Sequence, residues 1–178
     1  MSLLKPKALR AGATLGIISP ASAARPEFVA NGIAELEQAG YRTKLFPHAL
    51  DQGPLNYAGD LAGRVSDLHA AFSDPAVDAI LCTRGGWGSA ELLPHLDINL
   101  IRANPKPFLG YSDITTLHMW LYREAGLVTF QAPMVASDWV RLDSIDLRSW
   151  RAALTDSQPW QLGAEDGLRV LRPQLPRL

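Results

Sequence analysis

The chain has 178 residues, 47% of them hydrophobic and 20% charged, which suits a buried core and argues against disorder. Its net charge of −1 and pI near 6.4 give no broad attraction to nucleic acid or to an anionic membrane surface. One cysteine, Cys82, rules out an internal disulfide and fits a reducing compartment.

The first predicted strand is Thr14–Ser19, closed by Pro20 and apolar almost throughout, as a parallel strand covered on both faces must be. A helix follows with Pro26 in its first turn and Val29, Ile33 and Leu36 on one face; Gly40 is placed to end it. Tyr41–Phe46 reads as a second strand. After a loop rich in Pro, Gly and Asn, a second helix carries Leu61, Val65, Leu68 and Phe72 and stops at Asp74-Pro75. Ala79–Thr83 is a third strand, leading into Arg84-Gly85-Gly86-Trp87-Gly88-Ser89 and a short helix with Leu92 and Leu93. Pro105–Gly110 is the fourth strand, and its helix carries Ile114, Leu117 and Leu121; Val128–Phe130 is a candidate fifth strand. This alternation predicts an α/β fold, a parallel sheet with helices on both faces. Ligands bind beyond the carboxyl ends of such strands, so three loops should share one rim: Ser19–Ser22, Arg84–Gly88 and Gly110–Asp113.

The passage Phe108-Leu109-Gly110-Tyr111-Ser112-Asp113 places a serine hydroxyl at a strand-to-helix corner, beside free backbone amides. Two readings stand. Ser112 is a nucleophile with the Asp113 N–H and a Gly85-Gly86 amide as oxyanion donors, or Ser112 or Asp113 caps the helix, the commoner role of such residues. The glycine usual two residues after such a serine is Ile114 here. The glycine-rich loop lacks the lysine of a P-loop and the spacing of a dinucleotide fingerprint, so a tight turn is favoured over a phosphate cradle.

A serine nucleophile needs a base within hydrogen-bond reach. His118 lies six residues beyond Ser112, about 240° around a helix and roughly 9 Å along it, and shares the face of Ile114, Leu117 and Leu121. It therefore reads as a core histidine. His69 and His95 read as structural or solvated, and His48 follows the second strand toward the rim. Asp113 is adjacent to Ser112 and points elsewhere. No His/Cys cluster has metal-ligand spacing.

Four ordered motifs carry a resemblance: Ser19-Pro20-Ala21-Ser22, Arg64-Val65-Ser66-Asp67-Leu68, Ala79–Gly88 and Gly110-Tyr111-Ser112-Asp113-Ile114-Thr115. Over about residues 3–172 the chain resembles the N-terminal half of the LD-carboxypeptidases, serine peptidases that include microcin-immunity peptidases. The resemblance implies a flavodoxin-like domain, similar to the N-terminal domain of class I glutamine amidotransferases. It also implies release of the terminal D-alanine of murein tetrapeptide in peptidoglycan recycling. Ser112 would be the nucleophile, with the Asp113 and Gly86 N–H groups as the oxyanion hole. No metal or organic cofactor is implied. The partner is a small peptide, with no nucleic acid and no membrane, and members commonly form homodimers. The expected location is the cytoplasm, since Met1–Lys7 has no apolar run suited to a signal peptide.

The family's triad is Ser-Glu-His, its Glu and His supplied by a C-terminal domain. None of Glu27, Glu35, Glu37, Glu91, Glu124 or Glu165 matches that Glu, and no histidine matches the base. Gly167–Pro173 resembles the usual entry to the C-terminal domain, but Gln174–Leu178 replaces its glycine-rich continuation, and Ala132-Pro133 stands where many relatives have Gly-Pro. The expectation is a nucleophile domain over residues 1–162 and a truncated linker over 163–178, the C-terminal domain absent and the chain inactive alone. The rival readings are a non-catalytic peptide-binding remnant, a microcin-immunity-type peptidase and, resting on the glycine loop only, a phosphate-binding module.

Overall fold

In a computed structural model of the protein, the described residues are 3–141, 145–155 and 163. The expected linker over 163–178 lies outside them, apart from Gly163. Five parallel strands run in the order β2-β1-β3-β4-β5: β1 (Thr14–Ile18), β2 (Arg42–Leu45), β3 (Ala79–Cys82), β4 (Phe108–Gly110) and β5 (Phe130–Gln131). This is the flavodoxin-like order, in which the chain reverses direction across the sheet between β1 and β3. Crossover loops leave β1 and β3 in opposite directions there, opening a crevice at the carboxyl ends of the strands.

The apolar runs become strands because both faces are covered. Side chains alternate along a strand, so Leu15, Ile17, Leu81 and Leu109 enter one core while Ile18, Ile80, Cys82 and Phe108 enter the other. The first core is closed by α1 (Pro26–Gln38) through Val29 and Leu36 and by α5 (Leu147–Thr155) through Trp150 and Leu154. The second is closed by α2 (Leu61–Ser73) through Leu68 and Phe72 and by α4 (Thr115–Trp120) through Leu117. Pro26 opens α1, and Gly40 ends it in a left-handed conformation with φ +97°.

Several boundaries differ from the expected ones. The second strand is Arg42–Leu45 rather than Tyr41–Phe46, because the Tyr41 N–H turns back to Leu36 O in the helix stop. The fifth strand begins at Phe130, not Val128. Leu127 and Val128 instead bridge to Leu4, with Val128 N–H donating to Leu4 O at 2.9 Å. The segment with Leu92 and Leu93 is a 3₁₀ helix, Ser89–His95, with Pro94 inside it. Two helices had no counterpart in the expected pattern: α3 (Ile98–Ala103), started by Asp97 accepting from Asn99 and Leu100, and α5.

Gly32 on α1 is packed against the turn after β5: a Cβ there would stand 2.2 Å from Val135 O. Gly32→Ala should cost about 1–3 kcal/mol through overpacking, despite a helix-propensity gain of about 1 kcal/mol. Thermal unfolding checks it, and the expected outcome is a melting temperature several degrees lower.

Candidate active site

β4 ends at Gly110, Tyr111 is extended, and Ser112 adopts φ +61°, after which the chain enters a 3₁₀ turn over Ser112–Ile114 and then α4. A non-glycine residue in the left-handed region costs about 1–2 kcal/mol. Such strain at a strand-to-helix turn is the geometry that projects a side chain away from the sheet. Ser112 is exposed, and among the described residues its Oγ has no hydrogen-bond partner. The capping alternative is not what the chain does: neither Ser112 nor Asp113 makes a side-chain cap bond to this helix.

Asp113 turns instead toward the glycine-rich loop. Its Oδ2 accepts from Ser89 N–H at 3.0 Å, and its backbone oxygen accepts from Ser89 Oγ at 2.8 Å, with Ser89 fully buried. This pair of hydrogen bonds holds the loop against the corner. Gly85 makes the approach possible, since a Cβ there would sit 3.0 Å from Ser112 Cβ and 3.2 Å from Asp113 N. Gly86 has φ +107°, and a Cβ on it would fall 2.2 Å from Ser22 Oγ. Ser22 N–H donates to Gly85 O, and Ser22 Oγ accepts from Trp87 N–H at 3.2 Å. The three loops therefore do meet on one rim. The amides of Gly86 and Asp113 have no acceptor among the described residues.

Arg64 braces this rim from below. Only 2% exposed, it donates to Gly88 O at 3.1 Å, to Asp60 O at 3.3 Å and to Pro20 O at 3.5 Å, and pairs with Glu91 Oε2 at 3.0 Å. Its guanidinium lies 4.7 Å from the Tyr57 ring centroid. Tyr57 O–H donates to Glu91 Oε1 at 2.7 Å, which raises the Tyr57 pKa and lowers that of Glu91. Trp87, 53% exposed, lies 5.9 Å from the Tyr57 ring and donates its indole N–H to Leu55 O. Local sequence does not record this bracing: apart from Asp60 at the start of the same helix, the acceptors of Arg64 come from distant segments.

The histidines are placed away from Ser112. His118 is buried on α4, its Nε2 is 2.9 Å from Gly110 O, and its ring lies edge-on to Phe108. Nδ1 is buried without a partner, and burial pushes the pKa of the group down, so the ring is neutral. It is a core histidine, as its place among Ile114, Leu117 and Leu121 suggests. His48 Nδ1 pairs with Asp51 Oδ2 at 2.8 Å, which raises its pKa, and its backbone N–H donates to Asp67 Oδ2. His48 follows β2, and β1 and β3 intervene before β4, so about 14 Å of sheet separates the two strands. His69 Nε2 accepts from Asp97 N–H, with its pKa lowered by burial, and His95 is exposed. No described histidine bonds to Ser112. Among the described residues no group of three His, Cys, Asp or Glu is arranged to hold a metal ion, and no helix is long and apolar enough to cross a membrane.

Residues 15–132 match a family model described as the LD-carboxypeptidase N-terminal domain. The chain is 42% identical over 145 residues to a probable murein peptide carboxypeptidase of Bacillus subtilis, covering 79% of this chain and 44% of that one. It is 35% identical over 122 residues to a murein tetrapeptide carboxypeptidase of Pseudomonas aeruginosa, covering 67% and 39%. An MccF-like protein from Bacillus anthracis superposes with a TM-score of 0.78 at 34% identity, covering 85% of this chain and 47% of that structure. The chain thus spans less than half the length of each of these proteins.

If the corner stores backbone strain, Ser112→Gly should relieve it and Ser112→Ala should not. The glycine variant is expected to melt about 2–4 °C above the alanine variant.

A second expectation concerns pH. The folded pKa of His118 lies below its ordinary 6.5, so the unfolded chain takes up this proton first. Its contribution is fully present above pH 6.5 and is lost as pH falls from there toward the depressed folded pKa. His118→Gln keeps a donor for Gly110 O. Its urea-unfolding free energy should fall less than that of the unaltered chain between neutral pH and about pH 5.

Proposed function

The chain belongs to the LD-carboxypeptidase family, and from that premise we propose that it is the nucleophile-bearing part of a serine carboxypeptidase that releases terminal D-alanine from murein tetrapeptide. The observation that carries this is the exposed, left-handed Ser112 at a strand-to-helix corner, clamped beside two amides that have no acceptor among the described residues.

On this reading Ser112 Oγ attacks the carbonyl carbon of the L,D bond while its proton passes to a base. The carbonyl oxygen becomes an oxyanion held by the N–H groups of Asp113 and Gly86; one such donor is worth about 10²–10³ in rate. The C–N bond then breaks, the base returns its proton to the departing amine of D-alanine, and an acyl-enzyme remains on Ser112. Water, deprotonated by the same base, cleaves that ester and regenerates the hydroxyl.

The base and its orienting carboxylate come from outside the described residues, since no described histidine bonds to Ser112. Residues 1–162 form the nucleophile domain, and residues 163–178 lead toward the domain that supplies the Glu and His. The protein works on a small peptide in the cytoplasm, as a homodimer. The 178-residue chain by itself is a very poor catalyst, retaining only what the oxyanion hole and binding provide. The likeness to the MccF-like protein supports a second reading, a microcin-immunity-type peptidase using the same serine.

D-Alanine release from murein tetrapeptide tests the proposal, comparing the 178-residue chain with a fusion of it to the C-terminal half of the Bacillus subtilis relative. The chain alone should release almost none. The fusion should release it, and Ser112→Ala should reduce that release by about 10³-fold or more. Release by the fusion that survives Ser112→Ala would overturn the assignment of the nucleophile. Ser112-dependent release by the chain alone would overturn the external base.

A further inference from the structure

A carboxypeptidase of this kind must recognise a chain end as well as a bond. The terminal carboxylate carbon lies three bonds from the scissile carbonyl carbon, at most about 4 Å away by standard bond lengths. Whatever holds that carboxylate must therefore adjoin Ser112.

On the Ser112 side of the rim, a cleft of about 330 Å³ opens between the residue before Gly85, the start of α1 and the turn after β5, lined by Ala24, Arg25, Phe28, Arg84, Ala136 and Ser137. Arg84 immediately precedes Gly85, whose Cβ position is 3.0 Å from Ser112 Cβ. On the other side, the hydroxyl of Tyr111, the residue before Ser112, reaches Asp138 Oδ1 at 3.3 Å, next to Ser137. Ala136 is fastened beneath, its N–H donating to Thr83 O at 2.8 Å. Two alanines leave room for a small residue, and Phe28 supplies an apolar wall. The volume is at the small end for a ligand site.

The two arginines are the uncommitted cations of this rim. Arg84 gives a single N–H to Ala23 O, at 3.4 Å, and Arg25 lies over the Phe28 ring at 5.4 Å. Neither is paired with a carboxylate of a described residue, whereas Arg64 nearby is saturated by four acceptors including Glu91. A guanidinium carries five N–H donors in a fork that matches a carboxylate. We propose that Arg84 and Arg25 form the subsite that holds the C-terminal carboxylate of the peptide substrate, and so restrict the site to the terminal bond. This rests on the peptidase reading above. A peptide continuing past this point would present a neutral amide, leaving both guanidiniums without an anion, and that difference is the source of selectivity.

The test is calorimetric titration of the Ser112→Ala chain with murein tetrapeptide as the free acid and as its C-terminal carboxamide, repeated with Arg84→Gln or Arg25→Gln added. The acid should bind about 10- to 100-fold more tightly than the amide, the range of one or two charge-assisted hydrogen bonds. Either arginine substitution should remove most of that preference, weakening acid binding far more than amide binding. Arg25 is exposed, so its variant keeps the test valid should Arg84→Gln fail to fold in a thermal melt. Equal binding of acid and amide, or a preference for the acid that survives both substitutions, would overturn the subsite while leaving the peptidase reading intact. Binding of neither peptide would also overturn it, and Ser112-dependent release by the fusion protein then decides separately whether the peptidase reading stands.

Discussion

The rim depends on the paired hydrogen bonds between Asp113 and Ser89. A left-handed serine is intrinsically unfavourable by about 1–2 kcal/mol, and a short helical turn after it has little cooperativity to hold it. Here the residue following Ser112 is fastened, through side chain and backbone, to a buried serine on the neighbouring crossover loop. The bond from Ser89 N–H to the Asp113 carboxylate is charge-assisted, a class roughly twice as strong as neutral bonds; the one from Ser89 Oγ to Asp113 O is neutral, and both are partly buried. The strain at Ser112 is therefore imposed by tertiary contacts with the loop after β3. The same contacts keep the Asp113 carboxylate away from the Ser112 hydroxyl, so the residue adjacent in sequence is unavailable as a base.

Glycine turns this clamp into a closely packed site. Asp113 draws the loop in until the Gly85 and Ser112 backbones are within side-chain distance, and Gly86 must then pass over Ser22 with φ +107°. Arg64 fixes the far end of the loop at Gly88, whose own Cβ would strike Tyr57 at 2.5 Å. Loop, corner and Ser19–Ser22 segment thus behave as one packed unit spanning the crevice between β1 and β3, where the topology of the sheet already opens a gap.

Much of this was legible in the sequence. Apolar runs interrupted at Pro20, Gly40 and Pro75 marked the parallel sheet, and the strand-to-helix corner stood out at Ser112 because Gly110 ends an apolar run and helical spacing starts at once. What escaped was set by long-range pairing. Leu4 captures Leu127 and delays β5, a contact spanning most of the domain. Asp113 prefers Ser89 to its own helix, which no local pattern records. Arg64 occupies a helix position that would ordinarily be solvated, and it is buried because Pro20 after β1 and Gly88 and Glu91 after β3 converge on it beside Asp60 of its own helix. α5 escaped for a different reason: it is short and carries charges at Arg148 and Arg151, and its burial depends on Trp150 meeting Trp139 at 5.1 Å and donating to Tyr41 Oη.

His48, His69 and His118 are each held by contacts that keep them from Ser112. A general base for a serine hydroxyl needs both reach and a pKa near neutrality. His118 is near in sequence but committed to Gly110 O inside the core, and burial disfavours the imidazolium it would have to become. His48 is favoured as imidazolium by Asp51, but that pairing holds it at the far edge of the sheet beside α2. His69 spends its Nε2 on a backbone amide of α3's first turn. Each histidine thus has a local reason for its position that competes with service to Ser112. The corner and these histidines are held apart by contacts that each makes locally, and among the described residues no hydrogen bond joins them.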